Sequence, residues 1–135
     1  MIVLSTSIME ITKDQDVVPF RNRVKELAVK IGMSLVNQTK LITAASELVR
    51  NMLKYANGGK VTLQILSKNN ITGVKLVFED QGPGIADISL AMQDGYSTGK
   101  SLGMGLPGAK RLVNEFEIKS ELGKGTLVSV IRWKN

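Results

Sequence analysis

Along the chain, apolar side chains recur first at every second position, then at every third and fourth, and then at every second again. Ile2, Leu4, Thr6 and Ile8 alternate with Val3, Ser5, Ser7 and Met9, which predicts a first strand over 2–11. Val17, Phe20, Val24, Leu27 and Ile31 then step by three and four. That spacing predicts an amphipathic helix with Pro19 in its first turn and Gly32 as its stop. A second helix runs from about Val36 to Ala56. Leu41, Ala45, Leu48, Met52 and Tyr55 form its buried stripe, and Asn57-Gly58-Gly59 ends it. Period two returns over 60–66 and 72–79, a hairpin joined around Lys68-Asn69-Asn70. Residues 87–94 read as a short helix and 95–101 as a polar lid. Gly103-Met104-Gly105 opens a further helix through Leu106, Ala109, Leu112 and Val113 to about Glu115, with Pro107 in its first turn. Strands over 117–121 and 126–133, linked by Gly123-Lys124-Gly125, close the pattern.

The second strand of the hairpin delivers the stretch that organises the rest, Glu79-Asp80-Gln81-Gly82-Pro83-Gly84-Ile85. Val74, Leu76 and Phe78 alternate as a half-buried strand should, so Asp80 stands where the sheet ends. Gly82 and Gly84 allow positive φ and a close backbone approach to a flat ligand, while Pro83 stiffens the turn between them. A surface turn would look the same in isolation. On the second helix, Glu47, Asn51 and Lys54 recur at i, i+4 and i+7, so an acid, an amide and a base share one line about 100° around from the apolar stripe. Taken alone, that line is an ordinary solvated face.

Composition narrows the chemistry. A length of 135 residues, 43% hydrophobic and 22% charged, suits one domain that buries about two-thirds of its unfolded surface. The apolar start is interrupted by Ser5, Thr6, Ser7 and Glu10 and lacks a basic leader, so neither a signal peptide nor a membrane span is expected and the protein reads as cytoplasmic. Cysteine is absent, which removes disulfides and thiol nucleophiles. Histidine is absent too, and with it every Ser-His triad, histidine zinc site and phospho-accepting histidine within this chain. General base work falls to a carboxylate. The net charge of +6 suits a small anionic ligand or an acidic protein, whereas 4% aromatics and scattered basic residues argue against nucleic acid.

Two phosphate motifs are disposed of by spacing. Gly99-Lys100-Ser101 invites a P-loop, but the required upstream glycine falls on Asp94, and Gly95 is one step too close. Gly103-Met104-Gly105-Leu106-Pro107-Gly108 satisfies the dinucleotide pattern, yet it follows a polar segment and no apolar strand. What survives is their shared physics. Glycines at a helix start expose backbone N–H groups to phosphates, and Lys100 stands nearby.

Taken together, Glu47-Leu48-Val49-Arg50-Asn51, Asp80-Gln81-Gly82-Pro83-Gly84, Gly103-Met104-Gly105-Leu106 and Gly125-Thr126 resemble, in order, the four sequence boxes of the Bergerat-fold (GHKL) ATPase and kinase superfamily. Length and the run Asp94-Gly95-Tyr96-Ser97-Thr98 make the chain most similar to its anti-sigma-factor serine/threonine kinases, and among them to the stressosome switch kinases. Asn51-Met52-Leu53-Lys54-Tyr55-Ala56 looks more like the asparagine box of sensor histidine kinases, where the lysine approaches the phosphates.

The resemblance implies an α+β fold, a two-layer α/β sandwich with a mixed, mostly antiparallel sheet and helices on one face. It implies ATP and Mg²⁺ as cofactors, with Asn51 as the magnesium ligand and Glu47 as the general base. Asp80 would accept from the adenine amino group, Thr126 would hold a bridging water, and Gly82 and Gly84 would admit the base. Gly103, Met104, Gly105 and Leu106 would meet the phosphates, with Lys54 and Lys100 neutralising charge, and Ser97 and Thr98 would belong to the nucleotide lid. The implied partners are STAS-domain antagonist or scaffold proteins, phosphorylated on serine or threonine, and a downstream phosphatase that the released kinase activates. A homodimer is allowed. The alternative is a nucleotide-gated anti-sigma factor that sequesters a sigma factor, with phosphorylation secondary.

Overall fold

The computed structural model describes residues 1–85, 92 and 105–135. Within them the chain forms β1 (Ile2–Ile11), α1 (Val17–Lys30), α2 (Leu35–Ala56), β2 (Gly59–Lys68), β3 (Ile71–Glu79), α3 (Leu106–Arg111), β4 (Glu115–Glu121) and β5 (Gly125–Trp133). The five strands make one sheet in the order β1-β2-β3-β5-β4, and all four pairings are antiparallel. The expected α+β sandwich is therefore present, without a parallel component among the described strands. Apart from Met92, the short helix expected over 87–94 and the lid over 95–101 lie outside the described residues.

Alternation decides which face of the sheet is covered. The register sets Val61, Leu63 and Ile65 of β2 opposite Phe78, Leu76 and Val74 of β3, and Phe78 and Leu76 opposite Val128 and Val130 of β5. All eight are buried. Onto that face α1 brings Phe20, Val24, Leu27 and Ala28, and α2 brings Leu41, Ala44, Ala45, Leu48, Val49 and Met52, in one continuous core. Phe20 meets Phe78 edge to face, 5.8 Å between ring centres, and is wholly buried. Phe20→Ala is accordingly expected to cost about 3–5 kcal/mol of stability, read as a lowered urea midpoint.

Local signals end the elements where the sequence places their punctuation. The Ser34 hydroxyl oxygen accepts the Asn37 N–H at 3.2 Å and starts α2. Asn57, left-handed at φ 59°, stops it. Asn69 and Asn70, both at positive φ, form the two-residue turn between β2 and β3. The Thr12 amide, with that of Lys13 and the Thr12 hydroxyl, holds the Asp16 carboxyl below its ordinary range where the chain enters α1.

Two expectations need correction. Tyr55 is 46% exposed and does not join the buried stripe. At the last turn the inward position passes to Ala56, against which Gly82 packs so closely that a β-carbon on that glycine would not fit. The helix expected to run from Leu106 to about Glu115 stops at Arg111. Strand pairing wins beyond it: the Asn114 N–H donates to the Ile131 carbonyl at 2.9 Å and Glu115 pairs with Ile131. Arg132 seals that end, donating to the Leu112 carbonyl at 3.3 Å and to Asn37 Oδ1 at 2.7 Å.

Candidate functional site

The stretch after β3 folds into a tight corner against the β4–β5 turn. Asp80 N–H donates to the Thr126 carbonyl at 3.0 Å. Asp80 Oδ1 in return accepts the N–H groups of Gly82, at 2.9 Å, and Thr126, at 3.2 Å. One carboxylate oxygen is thus committed to the backbone, and these two bonds leave Oδ2 for another donor. Gly125 runs at φ +101°, and a β-carbon there would lie on the Asp80 carbonyl oxygen; Gly84 runs at φ +76°, where one would strike the Glu121 carbonyl. Both glycines are thus demanded by close backbone approach. Gly125→Ala should cost at least about 2 kcal/mol in denaturant titration, from left-handed strain and the clash together.

The other wall is α2. Glu47 is buried, 6% exposed, with its carboxylate 4.0 Å from the Arg50 guanidinium. That is the reverse of the solvated face a lone acid and base on a helix would suggest. Asn51, one turn on, is half-buried, and a β-carbon on Gly105 would stand 3.8 Å from its Nδ2. Lys54 is exposed, with Nζ 5.2 Å from the centre of the Tyr55 ring. Gly105, φ +65°, caps α3, which Leu106 begins half-buried. Gly105 thus neighbours Asn51 while Gly82 neighbours Ala56, five residues and about 7.5 Å along the same helix.

The fold therefore gathers Asn51, Asp80, Gly82, Gly105 and Thr126 along one side of α2, with Glu47 one turn behind. Gly84 braces the corner from the Glu121 side, and Lys54 points to solvent beside it. Ser97, Thr98, Lys100, Gly103 and Met104 lie outside the described residues. Sequence reasoning passed over Ser120, whose hydroxyl joins Thr126, Gly125 and Ile85. Its only signal was its place five residues before Gly125. Among the described residues no three acidic side chains converge to hold a metal ion. A magnesium ion here would share the Asn51 amide oxygen with phosphate oxygens, a ligand set that suits that cation. A cavity of about 510 Å³ lies elsewhere, lined by Leu4, Ile65 and Ile71 with Lys30 and Lys134. Ile71 begins β3 and Asp80 follows its end, so the two places are roughly 30 Å apart along the strand.

Comparison with known proteins identifies the family. Residues 36–134 match the model of the histidine kinase-, DNA gyrase B- and HSP90-like ATPase family. The chain is 41% identical over 127 residues to the serine/threonine-protein kinase RsbT of Bacillus subtilis (strain 168), covering 94% of this chain and 96% of that one. It is 32% identical over 136 residues to an anti-sigma F factor of Thermoanaerobacter sp. (strain X514), covering 95% and 94%. A crystal structure of the RsbU and RsbW domains of a Mycobacterium tuberculosis protein shares the fold, with a TM-score of 0.59 at 18% identity. That match covers 93% of this chain and 32% of the other. With the matched span running from the start of α2 through β5, and so through every piece of the corner, the chain belongs to the histidine kinase-, DNA gyrase B- and HSP90-like ATPase family.

Proposed function

We propose that this chain is an ATP-dependent protein-serine/threonine kinase of a bacterial partner-switching stress pathway. Its substrates are STAS-domain antagonist or scaffold proteins, and the released kinase activates a downstream phosphatase. The observation that carries the reading is the meeting of Asn51, Asp80, Gly82 and Gly105 along α2. The likeness to RsbT supports the kinase class.

Each residue then has a task set by its surroundings. Asp80, with Oδ1 engaged by two amides, offers Oδ2 to the adenine amino group. Thr126 holds a water beside it, and Gly82 and Gly84 keep side chains out of the path of the flat base. Asn51 holds Mg²⁺ through its amide oxygen, and Lys54 and Lys100 balance phosphate charge. Gly103, Met104, Gly105 and Leu106 offer backbone N–H groups to the phosphates, and Ser97 and Thr98 cover them. ATP, when bound, supplies the phosphoryl group. Glu47, one turn from Asn51 and buried, takes the proton from the attacking serine or threonine hydroxyl.

The deciding experiment mixes the protein with labelled Mg-ATP and purified STAS proteins and seeks label on serine or threonine. Absence of transfer to every STAS protein, with ATP bound, would turn the reading toward its alternative. The alternative is sequestration of a sigma factor, favoured by the likeness to anti-sigma F factors. Pull-downs with purified sigma factors and STAS proteins separate the two. Protease nicking near Thr98 is expected to slow at least severalfold on adding Mg-ATP, and equal rates would argue against a nucleotide-ordered lid.

A further inference from the structure

We infer that Ser120 is a positioning residue that turns the Thr126 hydroxyl into a pure acceptor toward the purine, and so makes the pocket selective for adenine over 6-keto purines. The inference rests on the reading of the Asp80 corner as the adenine pocket.

Ser120 is half-buried on β4, where three segments meet. Ile85 N–H donates to its Oγ at 2.7 Å, and Oγ lies 3.1 Å from the Gly125 carbonyl and 2.8 Å from Thr126 Oγ1. A serine hydroxyl has one proton. The Gly125 carbonyl can only accept, so that proton goes there, and the short contact to Thr126 is left to the threonine's own proton. Thr126 has then given its hydrogen away. Only lone pairs remain for the pocket. Asp80 is in the same condition, because an ionised carboxylate has no proton to offer.

Two neighbouring acceptors ask for donors on the ligand. The 6-amino group of adenine is one, whereas the 6-keto oxygen of hypoxanthine or guanine meets them acceptor to acceptor. A water held by Thr126 must give it one hydrogen and has a second for the unprotonated N1 of adenine. In a 6-keto purine N1 carries its own hydrogen and cannot take it. Without Ser120 the Thr126 hydroxyl is free to rotate and donate, so the penalty on the keto base falls.

Calorimetric titration of the full chain with Mg-ADP and Mg-IDP reads this directly. The native protein should prefer ADP by at least about 100-fold. Ser120→Ala should narrow that ratio about tenfold, and Ser120→Thr, which keeps the hydroxyl, should restore it. A brace without influence on the threonine proton would weaken both nucleotides equally, and an unchanged ratio overturns the inference. Should Ser120→Ala fail to fold, Thr126→Val deletes the same acceptor and must narrow the ratio too; an unchanged ratio there is equally fatal. A native protein that binds ADP no better than IDP sinks this inference alone. One that binds neither sinks the ATP reading and this inference with it.

Discussion

Asp80→Asn should leave the protein folded and abolish measurable ATP binding, a loss of at least about 100-fold in calorimetry. The corner distinguishes the two consequences. Asp80 Oδ1 accepts from the Gly82 and Thr126 amides, and an asparagine carbonyl can take over both bonds. The amide nitrogen is then forced to the position of Oδ2, where it presents two hydrogens to an adenine amino group that is itself a donor. The exchange replaces a charge-assisted bond with a donor-donor contact, worth about 3–4 kcal/mol, and each 1.4 kcal/mol is tenfold in affinity. Unchanged affinity would remove Asp80 from the site.

Glu47→Ala should behave in the opposite way, with ATP affinity held within about threefold and phosphoryl transfer reduced 100-fold or more, the usual worth of a general base. Glu47 is buried on α2 beside Arg50, whereas the two bonds that fix Asp80 Oδ1 come from the Gly82 and Thr126 amides. Removing it takes no contact from the base. On the proposed reading it takes the proton acceptor, and a chain without histidine offers no imidazole in its place. Glu47→Gln, which keeps the shape, should be as slow as the alanine variant in a labelled-ATP assay. Full activity in either would refute the assignment.

Much of this could be read from residue order alone. Period two and period 3.6 located all five strands and the two long helices because each buries one face, and burial writes itself into sequence as alternation or as a stripe. The pair Asn69-Asn70 and the stop at Asn57 were legible for a similar reason, since few residues accept positive φ. Errors fell where competition is settled across the fold. Nothing local says that Asn114 and Glu115 gain more from pairing with Ile131 than from extending α3. Nor does the stripe on α2 reveal that Gly82 claims the space at Ala56 and leaves Tyr55 to solvent.

The same division runs through the site. Residue order determined the kinds of chemistry open to the chain: a carboxylate base, a magnesium-compatible amide, glycines suited to a flat ligand, and four boxes in family order. Glu47 on a helix face, however, looks equally like solvated surface, and only packing reveals that it is buried. Ser120 was invisible for a deeper reason. A serine's role lies in where its single proton goes, and that depends on Ile85 and the adjacent pair Gly125 and Thr126 arriving around it from two other segments. Periodicity reports which side of an element is dry. The direction of a hydrogen bond belongs to the assembled corner.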